Sequence, residues 1–321
     1  MRLRLLPLAL LLVACTPEAS VPVERPPPPR KVAKMAAPRP AAPLPPPPSA
    51  LPPPSAPALS YDRAKDLEER KQLAKAELGA KTDTEVVEGV FLVAAPAGRA
   101  ALGGAIDVTR RALAAYFNDR FHHRPERVVS VYLFPNAAPY DAYCKKLWKT
   151  KCDSPYGFYL ASARTIVMNV GPGIGTLTHE LVHPLVEADF PTAPDWINEG
   201  IASLFEQFHL PRPGEIRGSK NWRHPRLAAA LGSAKEREHA SLPALFAMND
   251  TEFRGPREDL NYATARYLCQ WLDERGLLWR FYQRWRDTAA TDPTGAQAFL
   301  EVTGQTPAQA NAQWVRWVRA L

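Results

Sequence analysis

Sixteen of the chain's 34 prolines fall within the 36 residues from Pro22 to Pro57, in a sequence of 321. Each proline removes a backbone donor and fixes φ, so no packed core accommodates that density. The tract suits a spacer: as polyproline II, at about 3.1 Å per residue, it would reach on the order of 100 Å. That leaves 264 residues, 58–321, enough for one large domain or two lobes sharing a cleft. The charge divides in the same way. The whole chain carries +7, but the first 57 residues hold seven basic side chains against Glu18 and Glu24. The remainder balances 33 basic residues against 31 acidic ones. The high isoelectric point therefore belongs to the leader and linker, and composition gives nucleic-acid binding no support.

Ahead of the tract, Arg2 and Arg4 precede a short apolar run from Leu5 to Val13, interrupted by Pro7. The run is far shorter than the roughly 20 residues needed to span a bilayer, and reads as a secretory leader. Its end, Leu12-Val13-Ala14-Cys15, resembles the lipobox of bacterial lipoproteins. The resemblance implies a signal peptide over 1–14, cleavage before Cys15, and diacylation of that thiol. The product would be tethered to a membrane in the cell envelope, outside the cytoplasm. Thr16, in place of an aspartate, would favour the outer membrane in a cell with two. The linker over 15–57 would then separate anchor from domain, its mostly basic charges free to meet lipid or cell-wall polymer, or simply solvated.

In the folded part, Tyr61 to Leu78 has a charged helical pattern, and Val86 to Ala94 is a β-like run. A helix is expected near Leu102 to Phe121, a strand at Val128 to Phe134, and a helix near Pro139 to Trp148. Short strands are expected at Gly157 to Leu160 and Thr165 to Val170, with helix throughout after Gly175. Strands then helices give an α+β class, with lobes of about 58–175 and 176–321. Seven of the eight tryptophans lie beyond residue 195, so the second half must bury much aromatic surface. In the last helix Trp314, Trp317, Val318 and Leu321 share a face, and Thr306 before Pro307 marks its start. Cys144 and Cys152, eight apart around a lysine-rich turn, are expected to form a disulfide in an exported protein. Cys269, between Leu268 and Trp271, is expected to be a buried thiol.

The stretch that carries chemistry is Thr178-His179-Glu180-Leu181-Val182-His183. On a helix, residues four apart lie about 40° apart around the axis, so both imidazoles reach one Zn²⁺. Glu180 beside them can take a proton from a water activated there. Gly171-Pro172-Gly173-Ile174-Gly175 just before is a turn without the spacing of a phosphate loop. The remaining histidines, His122, His123, His209, His224 and His239, lack mutual ligand spacing. Two residues compete for third ligand. Asp189 stands where a metzincin has its third histidine, but Val186 replaces the required glycine and no methionine turn follows. Glu199 lies in Trp196-Ile197-Asn198-Glu199-Gly200-Ile201-Ala202.

That pattern after HExxH resembles the gluzincin metallopeptidases, in particular the peptidase MA-like group and the zinc aminopeptidases. The resemblance implies a zincin-like, thermolysin-like catalytic domain over 58–321, with Zn²⁺ on His179, His183 and Glu199. Glu206 could orient a zinc-binding imidazole, or be solvated or capping. Asn198 is expected to give local backbone support. Pro184, straight after His183, puts the helix's continuation in question. The G-x-M-E-N stretch that holds a free amine in aminopeptidases is absent, which argues against exopeptidase action. Thr165 to Val170 could offer an edge strand for an extended peptide. Tyr262, opening a helix in which Ala265, Leu268, Cys269 and Leu272 pack inward, matches a tyrosine that in gluzincin aminopeptidases donates to the developing oxyanion; the alternative is a core tyrosine. The expected function is a membrane-anchored zinc peptidase acting on peptide or protein, with Glu180 as general base. A non-catalytic envelope scaffold or binding module on the same fold, or a cell-wall amidase with the same metal chemistry, are the competing classes.

Overall fold

The computed structural model describes residues 61–96, 98–152 and 154–321; the expected leader and linker over 1–57 lie outside them. Helix α1 (Arg63–Leu78) starts at Asp62, whose carboxylate accepts from the Lys65 amide at 3.1 Å. Strands β1 (Asp83–Val87) and β2 (Phe91–Ala95) follow as an antiparallel hairpin. The single β-run expected over Val86 to Ala94 is thus a turn and two arms. Glu88 and Gly89 both take positive φ, 52° and 71°, which folds a continuous apolar run back on itself. Helix α2 (Gly98–Tyr116) stops short of the expected Phe121, and Asp119 beyond it is left-handed at φ 58°. Then come β3 (Val129–Phe134), α3 (Ala137–Trp148), β4 (Gly157–Leu160) and β5 (Thr165–Asn169).

The five strands form one mixed sheet in the order β1-β2-β3-β5-β4, with β2, β3 and β5 parallel and both edges antiparallel. This order corrects one expectation. Thr165 to Val170 is an interior strand, paired on both sides, and the edge belongs to β4. The pleat divides the sheet's side chains between two layers. Ala94, Tyr132, Phe134 and Val167 pack with Ala74 of α1 and with Tyr140 and Tyr143 of α3. Val93, Val131, Ile166 and Met168 face the other way, into the main core. Cys144 and Cys152 are joined as a disulfide beside the first layer, and Cys269 is buried and free.

After the sheet come α4 (Gly175–Glu180), α5 (Val182–Asp189), α6 (Asp195–Leu204), and a two-residue ladder of β6 (Phe208–His209) and β7 (Arg217–Gly218) where helix was expected. The chain continues through α7 (His224–Gly232), α8 (Leu242–Ala247), α9 (Asp250–Phe253) and α10 (Glu258–Asp273). It closes with α11 (Leu278–Thr288), α12 (Ala296–Thr303) and α13 (Pro307–Ala320). Helix α13 opens on a capping box between Thr306 and Gln309, and buries Trp314 and Val318. The class is α+β. Leu177, Trp196, Ile197, Leu268 and Trp314 belong to the same core as Val93 and Ile166, so packing runs unbroken across residue 175. The strand-bearing and the helical halves thus contribute to one buried cluster. Among the described residues no helix is long and apolar enough to cross a membrane.

Helix α6 is held by its aromatic and its glycine. Trp196 stacks on Trp285, centroids 5.1 Å apart, inside a cluster with Phe246 and Phe281. Gly200 lets α6 cross α10 closely: a Cβ there would lie 2.9 Å from Cys269 Sγ and 3.2 Å from the Ala265 backbone. On an open helix Gly→Ala stabilises by up to about 1 kcal/mol. Here the sign reverses: Gly200→Ala should cost roughly 1–3 kcal/mol by overpacking. Thermal unfolding of the two proteins checks it, with a midpoint drop of about 2–4 °C per kcal/mol; an unchanged or raised midpoint would mean the crossing has slack.

Candidate metal centre

The first helix of the centre is fixed from both sides before it presents any imidazole. The Tyr116 hydroxyl of α2 donates to the Thr178 carbonyl at 2.9 Å, and Thr178 Oγ1 donates to the Phe205 carbonyl at 2.7 Å. Gly175 starts α4 against the end of α6, where any Cβ would run into the Glu206 carbonyl oxygen. Between α4 and α5, Leu181 keeps helical dihedrals (φ −65°, ψ −23°). Pro184 removes one hydrogen bond but does not stop the turn, so His183 follows His179 onto the same side. Their ring centroids lie 5.0 Å apart at 78°.

Each imidazole has one nitrogen turned to the protein and the other to a cleft. His183 Nδ1 lies 3.0 Å from Asn198 Oδ1, and His179 Nδ1 lies 3.5 Å from Glu206 Oε1, too far and too poorly aligned to bond. On the cleft side, His179 Nε2 is 3.3 Å from Glu199 Oε2, and His183 Nε2 is 3.8 Å from Glu180 Oε2. Ligand atoms of His179, Glu180 and His183 all fall within 4.8 Å of one another, the single such cluster among the described residues. Glu199 stands outside that tight cluster and adjoins it through His179. The cleft is about 690 Å³ and is bordered by β4 through Gly157, Phe158 and Tyr159, by Glu187 and Phe190 of the α5 end, and by Arg254 and Tyr262.

Charge is arranged around these groups in pairs. Burial by itself would lower the His179 pKa, but Glu199, Glu180 and Glu206 outweigh it and raise it to about 9. For Glu180 burial dominates and pushes the carboxyl up, against the two imidazoles and the Tyr159 backbone amide that hold it down. Glu199 is buried too, yet His183, His179 and Arg254 hold it well below the usual carboxylate range. Glu206 is likewise lowered despite burial, because Arg223 binds both of its oxygens, at 2.7 and 2.9 Å. Arg254 completes the set. Its Nη2 donates to Glu199 Oε1 at 2.7 Å, its Nε to Asp195 Oδ2 at 2.6 Å, and its Nη1 to the Tyr262 oxygen.

Glu206, expected either to orient an imidazole or to be solvated or capping, is a buried neighbour of His179. Asn198 addresses the His183 ring, beyond the backbone support expected of it. Asp189 does not face the centre. Its side chain is fully buried, with Arg286 Nη1 at 2.9 and 3.0 Å from its two oxygens and His123 Nδ1 at 2.8 Å. Tyr262 lines the cleft, with burial first and Glu199 second raising its pKa far above the ordinary value. The other histidines are spread out: His122 meets Gln283, His209 meets Ser219 and His224 meets the Val318 carbonyl. Sequence reasoning missed Arg254 and Arg223. Neither has a spacing to the motif that a helix or strand period would expose.

Neither protein-family models nor curated protein sequences give a match for this chain. The donor set therefore rests on chemistry and geometry. Two imidazole nitrogens and a carboxylate oxygen suit Zn²⁺. Glu199 Oε2 is buried and makes no aligned hydrogen bond, with His179 Nε2 at 3.3 Å its nearest positive neighbour, while its sister oxygen is taken by Arg254; Oε2 is the oxygen a cation between it and the imidazole would take. The residues present fit a divalent metal. Glu199→Ala should therefore strip bound zinc, measured as metal per chain in the purified protein. Asp189→Ala should keep the metal but lose about 3 kcal/mol of stability, because Arg286 loses its buried partner and keeps only the exposed Asp287 at 2.9 Å. Zinc kept in the first variant and lost in the second would reverse the ligand assignment.

Proposed function

We propose that this protein is a zinc-dependent peptidase of gluzincin type, with a thermolysin-like arrangement of metal helix, glutamate helix and edge strand, tethered to the cell envelope through Cys15. The observation that carries the reading is the buried Glu199 Oε2, which makes no aligned hydrogen bond and lies 3.3 Å from His179 Nε2, on a helix packed against the two that bear His179 and His183. His179, His183 and Glu199 would hold the ion, and zinc so bound would supply a Lewis acid for a water and for the scissile carbonyl.

The chain's own groups account for the rest. Burial raises the Glu180 pKa, which moves this carboxylate toward the range in which a base can both accept a proton and return it. Its oxygens face the cleft from the turn between the two histidines. Strand β4 pairs only with β5 among the described residues, so its outer edge can align an extended peptide by main-chain hydrogen bonds. That edge runs along the cleft, and the peptide would lie across the carboxylate. Tyr262 keeps its hydrogen, since burial and Glu199 both oppose ionisation; a hydroxyl that stays protonated is fit to donate to a carbonyl oxygen acquiring charge.

The test is hydrolysis of a mixed peptide library by the zinc-loaded protein, with two variants. Glu180→Gln should retain metal and lose on the order of 10²–10⁴ in turnover, the worth of a general base. Turnover near wild type in that variant would end the mechanism. Tyr262→Phe should keep zinc content and melting temperature and lower kcat at least about tenfold. Full activity with a lowered melting temperature would make Tyr262 a packing residue only.

A further inference from the structure

The end of α3 has a composition that its packing does not explain. Seven consecutive residues, Lys145-Lys146-Leu147-Trp148-Lys149-Thr150-Lys151, are all exposed. Leu147 is 38% and Trp148 41% accessible, two of the five large apolar side chains so exposed among the described residues. No acidic residue occurs between Asp141 and Asp153, in a folded part whose charges otherwise nearly balance. Lys146 reaches the Glu77 carbonyl at 2.8 Å and Lys149 the Lys146 carbonyl at 3.3 Å, but these are backbone contacts that leave both charges unpaired. Among the described residues none of the four ammoniums meets a carboxylate.

The tryptophan is held in place. Its ring lies 5.3 Å from Phe158 and 6.4 Å from Tyr143, and the Cys144–Cys152 disulfide brackets the segment. One side of the indole therefore rests on the protein and the other faces solvent. Four lysines alone would suit any polyanion. Leu147 beside Trp148 offers no ring for a base to stack on, and two large apolar side chains set among the lysines need an apolar phase as well. A boundary between charged headgroups and acyl chains supplies both demands, with tryptophan at headgroup depth and lysines on phosphates.

We propose that residues 145–151 form a docking site for an anionic lipid surface. The inference is independent of the metal reading.

The test uses the full chain carrying Cys15→Ser, so that no acyl chain is attached, and co-sedimentation with vesicles of phosphatidylcholine alone or mixed with phosphatidylglycerol. Binding is expected to the anionic vesicles only, and to weaken with salt. Lys145→Gln with Lys151→Gln should weaken it roughly fivefold per lysine, since each contributes about 1 kcal/mol at an anionic surface. Trp148→Ala should weaken it further. Unfolding curves identify a variant that fails for loss of fold, and the lysine pair, solvent-exposed, keeps the test valid if Trp148→Ala is unstable. Binding unchanged in all variants would assign the attraction to the basic linker and overturn the proposal. Equal binding to soluble polyphosphate or nucleic acid, indifferent to Trp148, would overturn it too.

Discussion

Three carboxylates buried beside two imidazoles set the terms for everything around the cleft. Glu180, Glu199 and Glu206 have side chains no more than 11% exposed, within 4 Å of a histidine ring nitrogen in each case. A carboxylate taken from water costs several kcal/mol unless positive charge and hydrogen bonds replace the lost hydration. Here two guanidiniums do so unequally. Arg223 grips Glu206 by both oxygens; Arg254 takes one oxygen of Glu199; neither reaches Glu180. The inequality separates their chemistry. The carboxylate that a guanidinium grips twice is a fixed anion, the one gripped once has an oxygen to offer, and the one no guanidinium reaches is raised toward proton exchange.

The scaffold holds this arrangement with ordinary packing. The α4 helix is pinned by hydroxyls of Tyr116 and Thr178, and its start is pressed against the end of α6 at Gly175. Helix α6 in turn is fixed by Trp196 in the aromatic cluster and by the glycine crossing with α10. Residues one to four positions along the chain from His179 and Glu199 therefore carry their placement. That explains why Trp196 and Gly200 stand beside Glu199: one anchors the helix, and the other lets it approach.

Legibility in the sequence followed locality. His179, Glu180 and His183 could be placed together because they share one helical stretch, and Glu199 because a motif accompanied it. The sheet elements other than the hairpin were also found at nearly the right residues. What failed was what depends on the third dimension. A strand's hydrophobicity does not state its neighbours, so the apolar pattern alone does not distinguish the interior β5 from the edge strand β4. The hairpin was hidden because Val86 to Ala94 is apolar almost throughout, with only Glu88-Gly89 to mark the turn. Arg254 and Arg223 lie 55 and 17 residues along the chain from the glutamates they bind. Charge partners at such separations leave no period to detect.

The choice of arginine at position 254 follows from what has to be joined. Its Nε, Nη1 and Nη2 reach Asp195 at the start of α6, Tyr262 in the second turn of α10 and Glu199 in the middle of α6. Arg254 itself is the residue that ends α9. One planar fork thus ties three helices together around the carboxylate that faces His179. A lysine ammonium has three donors but a single nitrogen, and could not span these sites while holding the Glu199 oxygen in line. The geometry of the candidate third ligand is consequently coupled to the packing of α9 and α10. A shift of either helix would be felt first as a turn of the Glu199 carboxylate, and Tyr262 would move with it.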